Sequence, residues 1–425
     1  MSDTRQVVRL GVLGTRRGLA FAEAAEQLPN VDVVAFCGRN PERNKIIGDM
    51  YPDVRMLSSY EDMLNDGTID AIAVANYADE HVTAGCQALD AGKHVLSEVP
   101  ACVTVADGVK LARTVENSGK VYMFGENFCY LAWVQEMRRL YESGALGELV
   151  YAEGEYMHFA RDVWHQLVDL DIPLHWRSWM YPTFYVTHSM GPILRVTGMR
   201  PVAVQAATGM FGMNREGRAP LEDPAMELVR LENGALVKSL HGFAYPREPW
   251  QPWYLIAGAK GCIESNRWPD PADVTVFLDG YDAPRTYRAE HPRLQEESRK
   301  TQHWGSDLFV LDQFAKSIQT GSPPDIDVYM GLDMTLVGIL GWRSVLQAGG
   351  WVEIPNLRDE AVRKEWENDH YSCKPGTPDE FLLPNRMASQ STVLPGTEVI
   401  EQIRKRQESE PYHAAMYHDW GGEKK

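Results

Sequence analysis

Two tyrosine–histidine pairs carry side chains suited to moving protons. Tyr156 and His158 stand two apart in LVYAEGEYMHF (149–159), and Tyr185 and His188 stand three apart in YVTHSMGPI. Imidazole titrates near neutrality and a phenol can donate or accept, so such pairs suit general acid–base work. In a strand, residues two apart share a face. That places Val150, Ala152 and Gly154 in line with Tyr156 and His158, a small, apolar face that runs under a helix and opens into a pocket. The i, i+3 spacing puts Tyr185 and His188 on one helical face, and Pro192 one turn later marks a helix start, a natural place for catalytic groups. A Tyr and His hydrogen-bonded at a sheet end, or a structural histidine on a helix, would show the same spacing.

A second constellation suits a nucleotide. GVLGTRRG carries Gly11, Gly14 and Gly18 in a turn between an apolar run and a helical pattern, where backbone N–H groups can approach a pyrophosphate. Arg16 stands where the usual G-x-G-x-x-G would have glycine, and the forks of Arg16 and Arg17 suit phosphate oxygens. A glycine turn that only packs helix on strand is the plain alternative. At the end of the next strand a fold that prefers NAD often has Asp or Glu; here it has Gly38, Arg39 and Asn40. Arg39 would suit a 2′-phosphate, which keeps NADP open beside NAD, and stacking on adenine fits equally well.

These residues need a frame. VVRLGVLG, VDVVAFCG, IDAIAVAN, HVLSEV and KVYMFGEN read as short strands alternating with helical patterns such as HVTAGCQALDAG and VADGVKLARTVENSG. That rhythm predicts an α/β Rossmann domain with a doubly wound parallel sheet over 1–127, its ligand at the carboxyl ends of the strands. Longer alternating strands follow, with a hairpin turn at ENGA (232–235) and helices such as DLFVLDQFAKSIQTG. They predict an α+β substrate domain over 128–355 with a large, mostly antiparallel sheet. Residues 356–425 form a charged, proline-containing extension, expected to wrap a neighbour or to be partly mobile.

At 425 residues, 44% hydrophobic and 24% charged, the composition is that of a folded two-domain protein with a tail. A net charge of −17 with no basic run longer than IRKRQ argues against a nucleic-acid partner. Cys37, Cys86, Cys102, Cys129, Cys262 and Cys373 are scattered without metal-ligand spacing, so no metal is expected. TRRGLAFAEAA (15–25) mimics a twin-arginine signal, but Glu23 and Glu26 interrupt its apolar stretch. No run of 18 apolar residues suggests a membrane span, and the reading is cytoplasmic.

GKHVLSEVP after IDAIAVANYADEH resembles the Gfo/Idh/MocA superfamily, whose sugar dehydrogenases have a catalytic Lys in a strand-ending Glu-Lys-Pro; here that position is Val99. SEVPACVTVADGVKLARTVENSGKVYMFGENFCY, GELVYAEGEYMHFARD, YVTHSMGPI and DIDVYMG with WVEIPNL resemble glycoside hydrolase family 109 and its neighbours, over roughly 7–356. Between about 160 and 185 the similarity thins.

The resemblance implies a glycosidase with a tightly held, recycled NAD. It would work by transient C3 oxidation, C2 deprotonation with C1 elimination, water addition and re-reduction, without net redox. No carboxylate pair is then required, unlike ordinary glycosidases. The matched motifs imply Tyr156, His158, Tyr185 and His188 as catalytic: His188 at the C3 hydroxyl, Tyr185 or Tyr156 as a phenolate at C2, His158 for leaving group or water. Cofactor contacts implied in the same way are Asn76, Tyr77, His81, Glu98, Val99, Asn127, Arg177 and Tyr185, beside Gly14, Arg16, Arg17, Gly38 and Arg39. Tyr156, His188, Arg161 and Trp250 would meet the substrate, a small glycoside: an N-acetylhexosaminide, or an anionic sugar such as a sulfoquinovoside held by Arg161 and Arg177. A homo-oligomer through the C-terminal sheet is also expected. The alternatives are an NAD(P)-dependent sugar or inositol dehydrogenase, and a non-catalytic NAD(P)- or sugar-sensing regulator.

Overall fold

The computed structural model describes residues 7–158, 164–168, 175–209, 224–243, 252–387 and 389–409. Continuous apolar runs dictate a sheet buried on both faces. β1 (Val8–Leu13), β2 (Val31–Cys37), β3 (Arg55–Leu57), β4 (Ala71–Val74), β5 (His94–Ser97) and β6 (Tyr122–Phe124) pair in parallel in the order β3-β2-β1-β4-β5-β6. Between them run α1 (Leu19–Ala25), α2 (Pro41–Met50), α3 (Tyr60–Asn65), α4 (His81–Asp90) and α5 (Val105–Ser118). Local chemistry sets their ends. Thr104 caps α5 by accepting the Asp107 N–H at 3.0 Å, and Gly119 closes it at φ 62°, a left-handed conformation that suits glycine. Strand order reverses between β1 and β4, which opens a crevice at their carboxyl ends. The stretch that mimics an export signal is α1, buried along all seven residues.

The second sheet has nine strands: β7 (Leu149–Met157), β8 (Pro201–Thr208), β9 (Ala225–Leu231), β10 (Leu236–Gly242), β11 (Trp253–Gly258), β12 (Gly261–Ser265), β13 (Asp273–Leu278), β14 (Arg285–Arg288) and β15 (Val352–Glu353). Their order is β14-β13-β12-β11-β7-β10-β9-β8-β15, antiparallel except where β7 meets β10. The helices of this half are α6 (Ala132–Glu142), α7 (Trp164–Leu167), α8 (Thr187–Thr197), α9 (Gln295–Ser298), α10 (Ser306–Thr320) and α11 (Val328–Leu346). Helix α8 lies close on β7 because Gly154 has no side chain: a Cβ there would come within 1.9 Å of the Ser189 carbonyl oxygen. Five of the six cysteines are buried, and all six are free thiols.

Two expectations change and one is refined. Val150 does not share the inner face of β7 but is 58% exposed. The strand bulges there: Ala257 pairs with Tyr151 while the adjacent Gly258 pairs with Leu149, so Val150 is skipped. Pro192 lies inside α8 rather than at its edge, while the helix start expected at the Tyr185/His188 pair is there, since α8 begins at Thr187. Proline cannot donate to the carbonyl four residues back, and here that carbonyl, of His188, accepts from the Tyr254 hydroxyl at 2.6 Å. The described part of the C-terminal extension folds back on its own chain. Arg363, in α12 (Glu360–Trp366), is buried against Glu116 of α5, and the Trp342 indole donates to the Pro384 carbonyl at 2.8 Å. From α13 (Thr397–Ser409), Gln407 donates to the carbonyls of His165 and Val168 at 2.7 and 2.9 Å. Among the described residues no helix is long and apolar enough to cross a membrane.

Candidate active site

A cavity of about 780 Å³ lies where the carboxyl ends of β1, β2, β4 and β5 face the inner side of the second sheet. Its outer arm is lined by Gly14, Arg16, Arg17, Gly38, Arg39, Asn76, Tyr77, His81, Glu98, Val99 and Asn127. Gly14 sits at φ 110°, and a Cβ on it would fall 2.3 Å from the Ala75 carbonyl oxygen, so the turn after β1 can close on β4 only with glycine there. Arg39 lies 5.2 Å over the Tyr77 ring and pairs with Glu80 at 2.5 Å. The His81 ring is held between the carbonyls of Pro100 and Asn76, at 3.0 and 3.3 Å.

Arg17 departs from the phosphate-binding role expected of it. Its fork is engaged by Asp307 through two hydrogen bonds of 3.1 and 2.6 Å, and its Nε lies 2.9 Å from Glu98. Asn127 and His303 also bond to Asp307, at 3.0 and 2.7 Å. Burial would raise the Asp307 carboxyl, but Arg17 and His303 hold it well below the usual carboxylate range. Glu98 shifts the other way, raised by burial against the pull of Arg17. The network ties the turn after β1, the end of β5 and the start of α10 into one polar wall.

The inner arm is lined by Tyr156, His158, Tyr185, His188 and Arg177, together with Phe128, Phe243 and His303. His188 stacks on Phe128 at 4.5 Å and lies 4.7 Å from the Tyr156 ring and 4.9 Å from that of Tyr185. Its Nδ1 is 2.6 Å from Oε1 of Glu126, a carboxylate with no exposed surface. Since the carboxylate only accepts, Nδ1 carries the proton and Nε2 is the working nitrogen. The Tyr185 hydroxyl accepts from Arg177 at 3.3 Å. Arg177 is packed against Trp176, Tyr185 and Phe243, and its Nη1 is buried with no hydrogen-bond partner among the described residues.

The inner-arm residues differ in charge state. Burial and the Arg177 charge push His158 down to about 3, so it is neutral at pH 7. Burial and the neighbouring Tyr185 raise Tyr156 well above the usual phenol range.

The flat cradle of Arg39 and Tyr77, the side-chain-free turn at Gly14 and the polar ends of the strands fit a dinucleotide. Residues 8–126 match the model described as the oxidoreductase family, NAD-binding Rossmann fold, and residues 134–264 match the GFO/IDH/MocA C-terminal domain. Residues 223–366 match the glycosyl hydrolase 109 C-terminal domain. The chain belongs to the Gfo/Idh/MocA family. It is similar to glycosyl hydrolase family 109 protein 1 of Bacteroides thetaiotaomicron, 25% identical over 83% of this chain and 85% of that one. A glycosyl hydrolase family 109 protein of Porphyromonas gingivalis is 25% identical over 85% and 86%. Levoglucosan dehydrogenase in complex with NADH and levoglucosan has the same fold, with TM-score 0.72 and 20% identity over 82% of this chain and all of that one.

Within this Gfo/Idh/MocA protein, Arg161 and Trp250 lie outside the described residues. The other expected site residues border one cavity. Sequence reasoning missed Glu126, Phe128, Phe243, His303 and Asp307. Glu126 and Phe128 sit in GENFCY, where a carboxylate at a strand end facing the pocket was the available signal. Asp307 meets Arg17 across 290 residues, and no local pattern announces it.

Proposed function

We propose that this enzyme is an NAD-dependent glycosidase that cleaves a small glycoside by transient oxidation at C3, with no net redox. The observation that carries the reading is the His188–Glu126 pair in the inner arm, together with Val99 at the strand end. A dehydrogenase of this family would have an ammonium at position 99, and valine cannot titrate. Among the described residues the one lysine of the cavity wall, Lys374, is tied to Asp79 at 2.7 Å.

Gly14, Arg39, Asn76, Tyr77 and His81 would hold the dinucleotide, which when bound would supply reversible hydride acceptance at C3. NAD is favoured over NADP because Glu80 already neutralises Arg39, which a 2′-phosphate would need. His188, oriented by Glu126, takes the C3 hydroxyl proton through Nε2. Tyr185, whose oxygen is oriented by the hydrogen bond from Arg177, removes the C2 proton. Tyr156 serves as a hydrogen-bond donor. The buried Nη1 of Arg177 suits an anionic substituent such as a sulfonate, and an N-acetylhexosaminide is the other substrate class. Met226, Leu228 and Leu236 lie exposed on the outer face of the large sheet, which supports a homo-oligomer through that face in a cytoplasmic enzyme.

The test is a panel of nitrophenyl glycosides and sulfosugar glycosides, assayed with and without added NAD. The glycosidase reading expects aglycone release with no NADH accumulating. NADH rising in proportion to substrate, with the glycosidic bond intact, would establish the dehydrogenase reading instead.

A further inference from the structure

We propose that His303, oriented by Asp307, is a catalytic residue that protonates the departing aglycone oxygen and later takes a proton from the water added at C1. The proposal rests on the glycosidase reading. His303 lies in the wall of the inner arm and, like His188, near the Phe128 ring: the two ring centroids are 6.4 Å and 4.5 Å from that of Phe128. Its Nδ1 is 2.7 Å from Oδ2 of Asp307, a carboxylate with no exposed surface that Arg17 and Asn127 also hold. An ionised carboxylate only accepts, so Nδ1 bears a proton and Nε2 is the nitrogen left for chemistry. The cavity wall thus contains two carboxylate-oriented histidines that both pack near one aromatic ring.

The backbone at this point is unusual. His303 and Trp304 sit at φ 51° and 54°, followed by Gly305 at 84°. Left-handed backbone is unfavourable for a residue with a side chain, and two in succession persist only where surrounding contacts over-determine them. Those contacts are present. The Trp304 ring packs edge-on to Phe128 and Trp133, and Ser306 donates to the His303 carbonyl at 2.8 Å.

The other candidate donor is less suited. His158 is neutral at pH 7 and carries no imidazolium proton to give. His188 is committed to the C3 hydroxyl. Once the C2 proton has gone, the electron pair left at C2 forms the C1–C2 double bond and the C1–O bond breaks. The leaving oxygen takes a proton from Nε2 of His303, which enters this step carrying protons on both ring nitrogens and leaves it as a neutral imidazole with its proton on Nδ1, held by Asp307. Water then adds to C1, giving its proton to that nitrogen while C2 regains one, and the sum is addition of one water.

The experiment compares wild type and His303→Asn on the 4-nitrophenyl and methyl glycosides of the same sugar, because asparagine tolerates left-handed backbone. Nitrophenolate departs without a proton; methoxide does not. We expect turnover of the methyl glycoside to fall by about 10²-fold to 10⁴-fold, with the nitrophenyl glycoside changed less than tenfold. Exchange of C2 hydrogen in deuterated water should persist in the variant. His303→Gly, which relieves the backbone, should show the same leaving-group dependence and regain methyl glycoside turnover with added imidazole. Equal losses on both substrates, with dinucleotide still bound, would overturn the assignment. A wild-type enzyme that releases neither alcohol would overturn the glycosidase reading itself, a different outcome.

Discussion

His188 is fixed on three sides: Glu126 at Nδ1, Phe128 under the ring, and the Tyr254 hydroxyl on its carbonyl. Glu126→Gln keeps the volume but replaces the charge, so the imidazole loses its fixed tautomer and the stabilisation of its protonated form. Turnover should fall about a hundredfold or more while bound dinucleotide is retained, as steady-state kinetics and cofactor absorbance would show. His158 makes a different prediction. Its pKa is pushed from 6.5 to about 3 in the folded state, so between those values the unfolded chain binds a proton that the native one does not. Stability therefore falls as pH drops through that window, by up to about 1.4 kcal/mol per pH unit for this group. His158→Gln should flatten the slope in denaturant titrations from pH 6.5 to 3, with His291, lowered to about 4 by burial, and His94, also lowered by burial, still contributing.

At the scale of elements, the site depends on how α8 lies on β7 and on what replaces the hydrogen bond that Pro192 cannot make. Tyr254→Phe leaves the His188 carbonyl without its donor and should cost about 1–3 kcal/mol. In a Pro192→Ala background the restored N–H can serve the carbonyl, so the same substitution should cost less; urea denaturation of the four proteins in a double-mutant cycle measures the difference. Much of this level could be read from the sequence. The strands of the first sheet showed as continuous apolar runs, and the Tyr/His pairs showed by spacing. Val150 was misplaced, because the bulge needs Gly258 on the neighbouring strand, and the donor that serves the carbonyl opposite Pro192 was hidden because it comes from distant Tyr254. Asp307 and His303 stayed hidden because their meaning depends on Arg17, brought to them only by the packing of α10 against α1.

Across the whole molecule, the C-terminal extension links parts far apart in sequence. Arg363 joins it to α5, Asp369 takes the fork of Arg343 on α11, and Gln407 holds α7, whose Leu167 lines the cavity. Gln407→Ala removes two hydrogen bonds to α7 and should raise KM for the glycoside severalfold with kcat little changed, as initial-rate kinetics would show. The account as a whole turns on the C2 proton leaving and returning while the dinucleotide ends unchanged. The direct measurement is hydrolysis in deuterated water, with the product sugar analysed by NMR. The account predicts deuterium at C2, aglycone released and no NADH left over; a product with hydrogen retained at C2 would contradict it.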